Sequence, residues 1–172
     1  MERPGMSEDV LELPLPTRGA TRRLGRRLAA CLRAGDLVVL EGDLGAGKTF
    51  LVRAIARGLE VPAEVRVTSP TFDLVHELPG RALLVHADLY RLDDPESLTE
   101  LGLFEHIGGD AVVLVEWGAR FLDVLGPEGL QIELGLDAGG RHARVTARGA
   151  RGRALLSELR RELETRPISG RR

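Results

Sequence analysis

Leu37-Val38-Val39-Leu40-Glu41-Gly42-Asp43-Leu44-Gly45-Ala46-Gly47-Lys48-Thr49 is the stretch on which the fold turns. Its first four residues are a continuous apolar run, the pattern of a strand covered on both faces in the middle of a parallel sheet. The run feeds straight into Gly42 to Thr49, which reads G-x-x-x-x-G-K-T. In such a loop backbone N–H groups wrap phosphates, the lysine reaches the outer two, and the threonine hydroxyl serves Mg2+. Downstream, Leu51, Ile55 and Leu59 share one stripe of a helix from about Lys48 to Leu59. The loop therefore opens a helix, whose first turn adds unpaired N–H donors and partial positive charge. Lys48 is also the only lysine, since 23 of the 24 basic residues are arginines. A compact ammonium on a flexible stem suits the inside of this loop, whereas a planar guanidinium is bulkier. The retained lysine thus argues, within one sequence, for a working phosphate site.

Working outward toward the N-terminus, Gly35 closes a helix that begins after Thr17, a cap residue, and carries Leu24, Leu28 and Leu32 at four-residue spacing. Before it, Leu11, Leu13 and Leu15 alternate with Glu12 and Pro14, which predicts an edge strand, where proline is tolerated. Toward the C-terminus, Thr68 to Thr71 reads as a loop, and Phe72 to Glu77 and Ala82 to Asp88 as two strands joined around Pro79-Gly80. Asp94-Pro95-Glu96 marks the start of a helix ending near Gly108-Gly109. Ala111 to Val115 is a second fully apolar strand, ending at Glu116-Trp117. Leu130 to Leu136 alternates, turns at Asp137 to Gly140, and returns through Ala143, Val145 and Ala147 as a hairpin. A last helix covers about Arg151 to Glu164. These elements predict an α/β fold in which residues 1–165 form one P-loop NTPase-like domain. Its mixed sheet has parallel core strands and antiparallel hairpins, flanked by helices. Residues 166–172 are expected to form a flexible C-terminal tail.

Composition narrows the class. One cysteine, Cys31, excludes an intrachain disulfide and multi-cysteine metal sites; it falls on an apolar helix face and reads as a small buried hydrophobe. The N-terminal residues are acidic and proline-bearing, unlike a signal peptide, and no apolar run is long enough to span a bilayer, so a cytoplasmic protein without membrane contact is expected. The net charge of −2 hides a segregation: residues 34–140 carry seven basic and nineteen acidic groups, whereas both ends are rich in arginine. The arginine-rich ends read either as solvated helix faces or as a surface facing RNA, the former being favoured. With no asparagine in the chain, the Asn-Lys-x-Asp guanine-reading element is excluded, and with it a GTPase of that kind.

The nucleotide-binding residues read from the loop are Asp43, Leu44, Gly45, Ala46, Gly47, Lys48, Thr49 and Phe50. Phosphoryl transfer also needs a carboxylate to organise metal or water, commonly at the end of an apolar strand beside the loop. Glu116 and Asp88 both fit, and which of them positions water is not readable. Trp117 and Tyr90, the sole tryptophan and tyrosine, each lie within two residues of one of these acids. His86 alternates with Leu84 and Asp88 along a strand and reads as structural. Ser69, Pro70, Thr71 and Phe72 form a polar loop suited to sensing a γ-phosphate.

Taken together, Leu40 to Thr49, Ser69-Pro70-Thr71-Phe72, Asp88-Leu89-Tyr90-Arg91 and Glu116-Trp117 occur in an order and spacing that resembles the bacterial TsaE (YjeE) ATPase family of tRNA threonylcarbamoyladenosine biosynthesis. The likeness covers Gly35 to Trp117, departing at Phe50, where a second threonine is usual, and at Ala87, where an aromatic often stands. It implies ATP and Mg2+ as cofactors, with Thr49 and Glu116 in the metal environment. It further implies that Lys48, Asp88 and Glu116 are catalytic, that Ser69 to Phe72 is a switch-like loop, and that Trp117 lies near the nucleotide. The implied partners are TsaD and TsaB, with tRNA reached through their complex. The expected function is a slow Mg2+-dependent ATPase that binds and resets the TsaD–TsaB transferase. The alternatives are a small-molecule kinase with Asp88 as base, and a nucleotide-gated binding module without turnover.

Overall fold

The apolar run Leu37–Glu41 forms strand β2, at the centre of a seven-stranded sheet in a computed structural model that describes residues 8–168. The other strands are β1 Val10–Pro14, β3 Val75–Leu78, β4 Leu83–Asp88, β5 Ala111–Glu116, β6 Gly129–Asp137 and β7 Gly140–Arg148. Their spatial order is β1-β7-β6-β2-β5-β4-β3. β2 pairs in parallel with β5 and β6, and β5 with β4; β3, β7 and β1 add antiparallel edges. The α/β class and the mixed sheet predicted from sequence are both present.

The helices are α1 Arg18–Cys31, α2 Lys48–Gly58, α3 Glu96–Glu100, α4 Leu103–His106, α5 Leu122–Leu125 and α6 Gly149–Thr165. α1, α2 and α6 bury Val38, Leu40, Val112 and Leu114 on one sheet face, while α3, α4 and α5 cover Leu37, Val39, Val113 and Val115 on the other. Both faces of β2 and β5 are therefore dry, which is why these two strands carry no internal polar residue. Truncating one such side chain, as in Leu40→Ala, would cost about 2–5 kcal/mol. At the β1–β7–β6 side only one face is covered, and Glu12, Glu133 and Arg144 point to the other, giving the alternating pattern.

Local signals explain most boundaries. Thr17 caps α1 by accepting the Ala20 N–H at 3.1 Å, and Asp94 accepts the Ser97 N–H at 2.8 Å at the start of α3. Below α6, Arg151 grips the buried Asp36 through two bonds of 2.7 and 2.8 Å, fixing the last helix to the entry of β2. Cys31 is buried, as expected. No helix among the described residues is long and apolar enough to cross a membrane.

Three expectations need correction. The helix predicted from Asp94 to Gly108 is broken into α3 and α4, because Gly102 takes a φ of +69°, open to glycine but not to the right-handed helix. The strand predicted from Phe72 begins only at Val75: Leu74, at φ +63°, closes a turn by donating its N–H to Pro70 O at 2.7 Å. The tail predicted for 166–172 is docked at its start. Ile168 is buried in the core, and its carbonyl accepts from Arg23 Nε at 2.6 Å, while Arg166 O accepts from Arg27 Nε. Residues 169–172 lie outside the described residues.

Candidate nucleotide site

Parallel pairing brings three strand ends to one edge of the sheet. Leu40 of β2 and Asp88 of β4 both stand in register with Glu116 of β5, so Asp88 and Glu116 are cross-strand neighbours, about 4.8 Å apart in backbone spacing. The crevice beyond the carboxyl ends of such strands is where open α/β sheets bind ligands. Here it is a cleft of about 400 Å3 floored by Lys48, Thr49, Asp88 and Glu116 and walled by Phe50, Ser69, Tyr90, Arg91 and Trp117.

Backbone conformation shapes the loop between β2 and α2. Gly47 caps α2 at φ +108°, and Gly42, at φ +137°, passes so close to Leu134 O that a Cβ there would collide with it. Side chains at these positions would be strained or blocked. Lys48 is buried within the loop, its Nζ donating to Gly42 O at 2.5 Å and to Asp43 O at 3.1 Å. Burial pulls the Lys48 ammonium below its ordinary pKa; Glu116, Glu41, Asp88 and Asp43 oppose that shift. Burial likewise raises Glu41 above the usual carboxylate range, offset in part by the Ala119 N–H and by Lys48.

The two acids are held differently. Both Glu116 oxygens accept from Thr49 Oγ1, at 2.9 and 3.1 Å, and Oε1 also meets His86 Nε2 at 2.9 Å. Asp88 accepts the Tyr90 N–H at 3.0 Å through Oδ1 and the Ser69 hydroxyl through Oδ2. After Glu116 the chain turns through Trp117 at φ +61°, a conformation costing a non-glycine residue about 1–2 kcal/mol. That turn, fixed by Trp117 N–H to Leu40 O at 3.0 Å, brings the indole ring within 3.9 Å of Lys48 Nζ and 5.1 Å of the Tyr90 ring.

Mg2+ fits this donor set. Thr49, Ser69, Asp88 and Glu116 offer hard oxygens, which suit Mg2+. Among the described residues no three His, Cys, Asp or Glu converge as a closed cage. A few protein oxygens completed by phosphates and water is the usual way this ion is held. Lys48 is moreover a buried cation beside four carboxylates, with the exposed Arg91 the other positive side chain lining the cleft, so a bound metal's charge would help to neutralise an entering polyphosphate.

Of the sequence-derived site residues, Leu44, Gly45, Gly47, Lys48, Thr49, Phe50, Ser69, Thr71, Asp88, Glu116 and Trp117 line the cleft. Asp43, Ala46, Pro70 and Phe72 do not. Asp43 contributes its carbonyl to Lys48, Pro70 is buried beneath the turn, and Phe72 is 86% exposed with the Arg91 guanidinium 5.2 Å from its ring centre. Ala46 only closes the loop, donating its N–H to Asp43 O. Two participants escaped the residue-level reading: Arg91 lines the cleft, and Glu41 acts electrostatically on Lys48. His86, read as structural, is completely buried against Glu116. Its even spacing from Asp88 on β4 was the available signal, since alternation puts both side chains on one face.

A family model described as threonylcarbamoyl adenosine biosynthesis protein TsaE matches residues 15–144. The chain is 42% identical over 139 residues to the Streptomyces coelicolor protein named tRNA threonylcarbamoyladenosine biosynthesis protein TsaE, covering 76% of this chain and 92% of that one. The Bacillus subtilis protein of the same name is 39% identical over 145 residues, covering 82% and 88%. The crystal structure of B. subtilis YdiB superposes with a TM-score of 0.75 at 32% identity, covering 88% of this chain and 95% of that one.

Proposed function

The chain belongs to the TsaE family of threonylcarbamoyladenosine biosynthesis proteins, and from that premise we propose that it is a Mg2+-dependent ATPase whose nucleotide cycle resets a TsaD–TsaB transferase acting on tRNA. One observation carries the reading: the buried Lys48 ammonium, parked on two loop carbonyls, faces a cleft where Thr49, Asp88 and Glu116 converge. Lys48 exchanges Gly42 O and Asp43 O for β- and γ-phosphate oxygens, joined by the N–H groups that open α2. Thr49 and Glu116 would hold Mg2+, which, when bound, neutralises charge on the phosphoryl oxygens. Asp88 keeps acceptor capacity after bonding Ser69 and Tyr90, so it can orient a water and take its proton. Trp117 and Phe50 line the cleft and would give an adenosine apolar contact.

The coupling to a partner follows from the same geometry. Ser69 is tied to Asp88, so a change around the γ-phosphate is felt directly by the loop that displays Phe72. A partner that reads this loop binds the ATP and ADP states with different affinity, which is the requirement for a switch. The test is multiple-turnover threonylcarbamoylation of tRNA by TsaD and TsaB, with phosphate release followed in parallel. Repeated cycles are expected to need this protein with Lys48 and Glu116 intact, whereas a first transfer is not. Equal multiple-turnover modification without the protein would overturn the resetting role, and absence of phosphate release with Mg-ATP would overturn the ATPase.

A further inference from the structure

Phe50 has a second neighbourhood. On its other side it lines a basin of about 290 Å3 whose remaining wall is Arg22, Arg26, Arg53, Ala54 and Arg57, with no carboxylate among the lining residues. Arg18 adds a guanidinium 5.2 Å from the Phe50 ring centre. The two helices that build this surface contain no aspartate or glutamate, in a chain with 26 acidic residues. Arg18, Arg22 and Arg26 recur every fourth residue of α1 and so form one exposed stripe about 12 Å long at 1.5 Å per residue.

The basin's arginines divide into two sets. Arg53 donates to Val67 O at 2.9 Å, and Arg57 donates to the carbonyls of Val61, Pro62, Ala63 and Val65. Those bonds fix the guanidiniums without neutralising them. Among the described residues the side chains of Arg22 and Arg26 have no ion pair or hydrogen bond. The result is a fixed positive floor with two exposed, unpartnered guanidiniums beside it, and screening by solvent offsets their mutual repulsion.

We infer that this basin binds the phosphodiester backbone of RNA directly. Guanidinium forks match phosphate oxygens, and a stripe of this length can follow several successive phosphates. A protein hot spot or an inserted amphipathic helix is commonly centred on an apolar anchor. The large exposed hydrophobics among the described residues are Leu44, Phe72, Tyr90, Phe104, Val124 and Leu136, none of them on α1 or α2. Backbone binding needs no such anchor, and the half-exposed Phe50 ring offers a stacking surface at the basin's edge. Since Phe50 also walls the nucleotide cleft, the RNA would lie beside the nucleotide. The inference does not depend on ATP hydrolysis.

The experiment is a fluorescence anisotropy titration of a labelled, unmodified tRNA transcript with the full chain, at about 50 mM and about 200 mM salt. Binding is expected at low salt and should weaken steeply at the higher salt, as counterion release requires. Arg22→Glu combined with Arg26→Glu should lower affinity about tenfold or more, with a shallower salt slope. Arg22→Lys with Arg26→Lys should retain most of it. Arg144→Glu, an exposed charge reversal on the opposite sheet face, should change affinity by less than about twofold. Circular dichroism confirms that each variant is folded. No binding at low salt, or an equal loss in Arg144→Glu, overturns the proposal. So does equal or tighter binding of a poly-glutamate peptide or of phosphatidylserine vesicles, which would assign the basin to an acidic protein or a membrane.

Discussion

The nucleotide cleft and the arginine basin lie on opposite sides of Phe50, and they handle positive charge in opposite ways. In the cleft one ammonium is buried, held by two carbonyls and balanced by four carboxylates. In the basin several guanidiniums stand together with no carboxylate beside them, those on α1 exposed to solvent. A buried charge in a low-dielectric setting depends on a few fixed partners, so its removal acts almost all-or-none. Exposed charges act as a sum, so each removal acts by a step. The two regions should therefore respond to substitution with different shapes, not merely different sizes.

Lys48→Ala offers the largest effect and the sharpest way to break this contrast. It removes the only lysine and leaves Glu116, Asp88 and Glu41 without their central countercharge. ATP affinity measured by calorimetry should fall by at least about 100-fold, the equivalent of roughly 3 kcal/mol for a charge-assisted contact. Unchanged affinity would mean that Lys48 is not the phosphate ligand, and that its retention in an arginine-rich chain has another cause.

Glu116→Gln comes next. Glutamine keeps the size of the side chain but removes the charge that both Thr49 and His86 address. ATP affinity should change less than about tenfold, while phosphate release slows by about 100-fold or more. Asp88→Asn serves as the comparison, because its partners Ser69 and Tyr90 N–H lie toward the switch-like loop. As the water-orienting acid, Asp88→Asn should also separate affinity from turnover; if only Glu116→Gln does so, the two acids exchange the roles given to them above.

The pH dependence of binding gives a gentler test of the same burial. Lys48 has a folded pKa below 10.5, so it gives up its proton at a lower pH than an exposed lysine does. Phosphates bind the charged form, so ATP affinity should decline as pH rises toward 10.5, beginning below that value. Stability of the unliganded fold moves the other way through the same window, because there the unfolded chain binds more protons than the folded one. Trp117 can report binding, since Lys48 sits 3.9 Å from its ring centre and leaves that position when phosphates arrive. A flat Trp117 emission at saturating Mg-ATP would place the nucleotide elsewhere. Affinity that stays constant to pH 10.5 would show that the Lys48 pKa is not depressed.

Legibility differed between regions for physical reasons. β2, β5 and the loop between β2 and α2 were readable because burial on both faces forces a continuous apolar run, and a phosphate loop forces glycines and one lysine into fixed spacing. The register that sets Asp88 beside Glu116 was not written in either strand alone, although the end of each apolar run marked where to look. Gly102 carried a break that the start signal at Asp94 masked, and the turn at Leu74 puts a leucine at a φ that its side chain does not favour. The docked Ile168 was hidden by a charged, proline-bearing context, since one apolar residue has no periodicity to reveal it. The basin was half visible: the arginines were counted at the N-terminal end, but only the packing of α1 on α2 shows that two helices pool them.

Cys31 adds a third way to treat a titratable group, and the smallest expected effect. It is buried near Glu158 and Glu162, and those causes, with desolvation leading, push its thiol from 9.0 to about 11. A lysine in the cleft keeps its charge because carboxylates attend it; this thiol has no adequate countercharge and stays neutral. The folded pKa lies above the unfolded one, so between pH 9.0 and about 11 the folded state holds the proton that the unfolded state has lost. Stability should therefore be unaffected by this group below pH 9.0 and fall modestly above it. The complementary measurement is the alkylation rate of native protein by iodoacetamide. It should be far slower than that of unfolded protein at pH 8 and should climb only as pH approaches 11, because the thiolate is the nucleophile. Fast alkylation of the folded chain at pH 8 would mean that α1 opens near its C-terminal end, next to the arginines that the basin depends on.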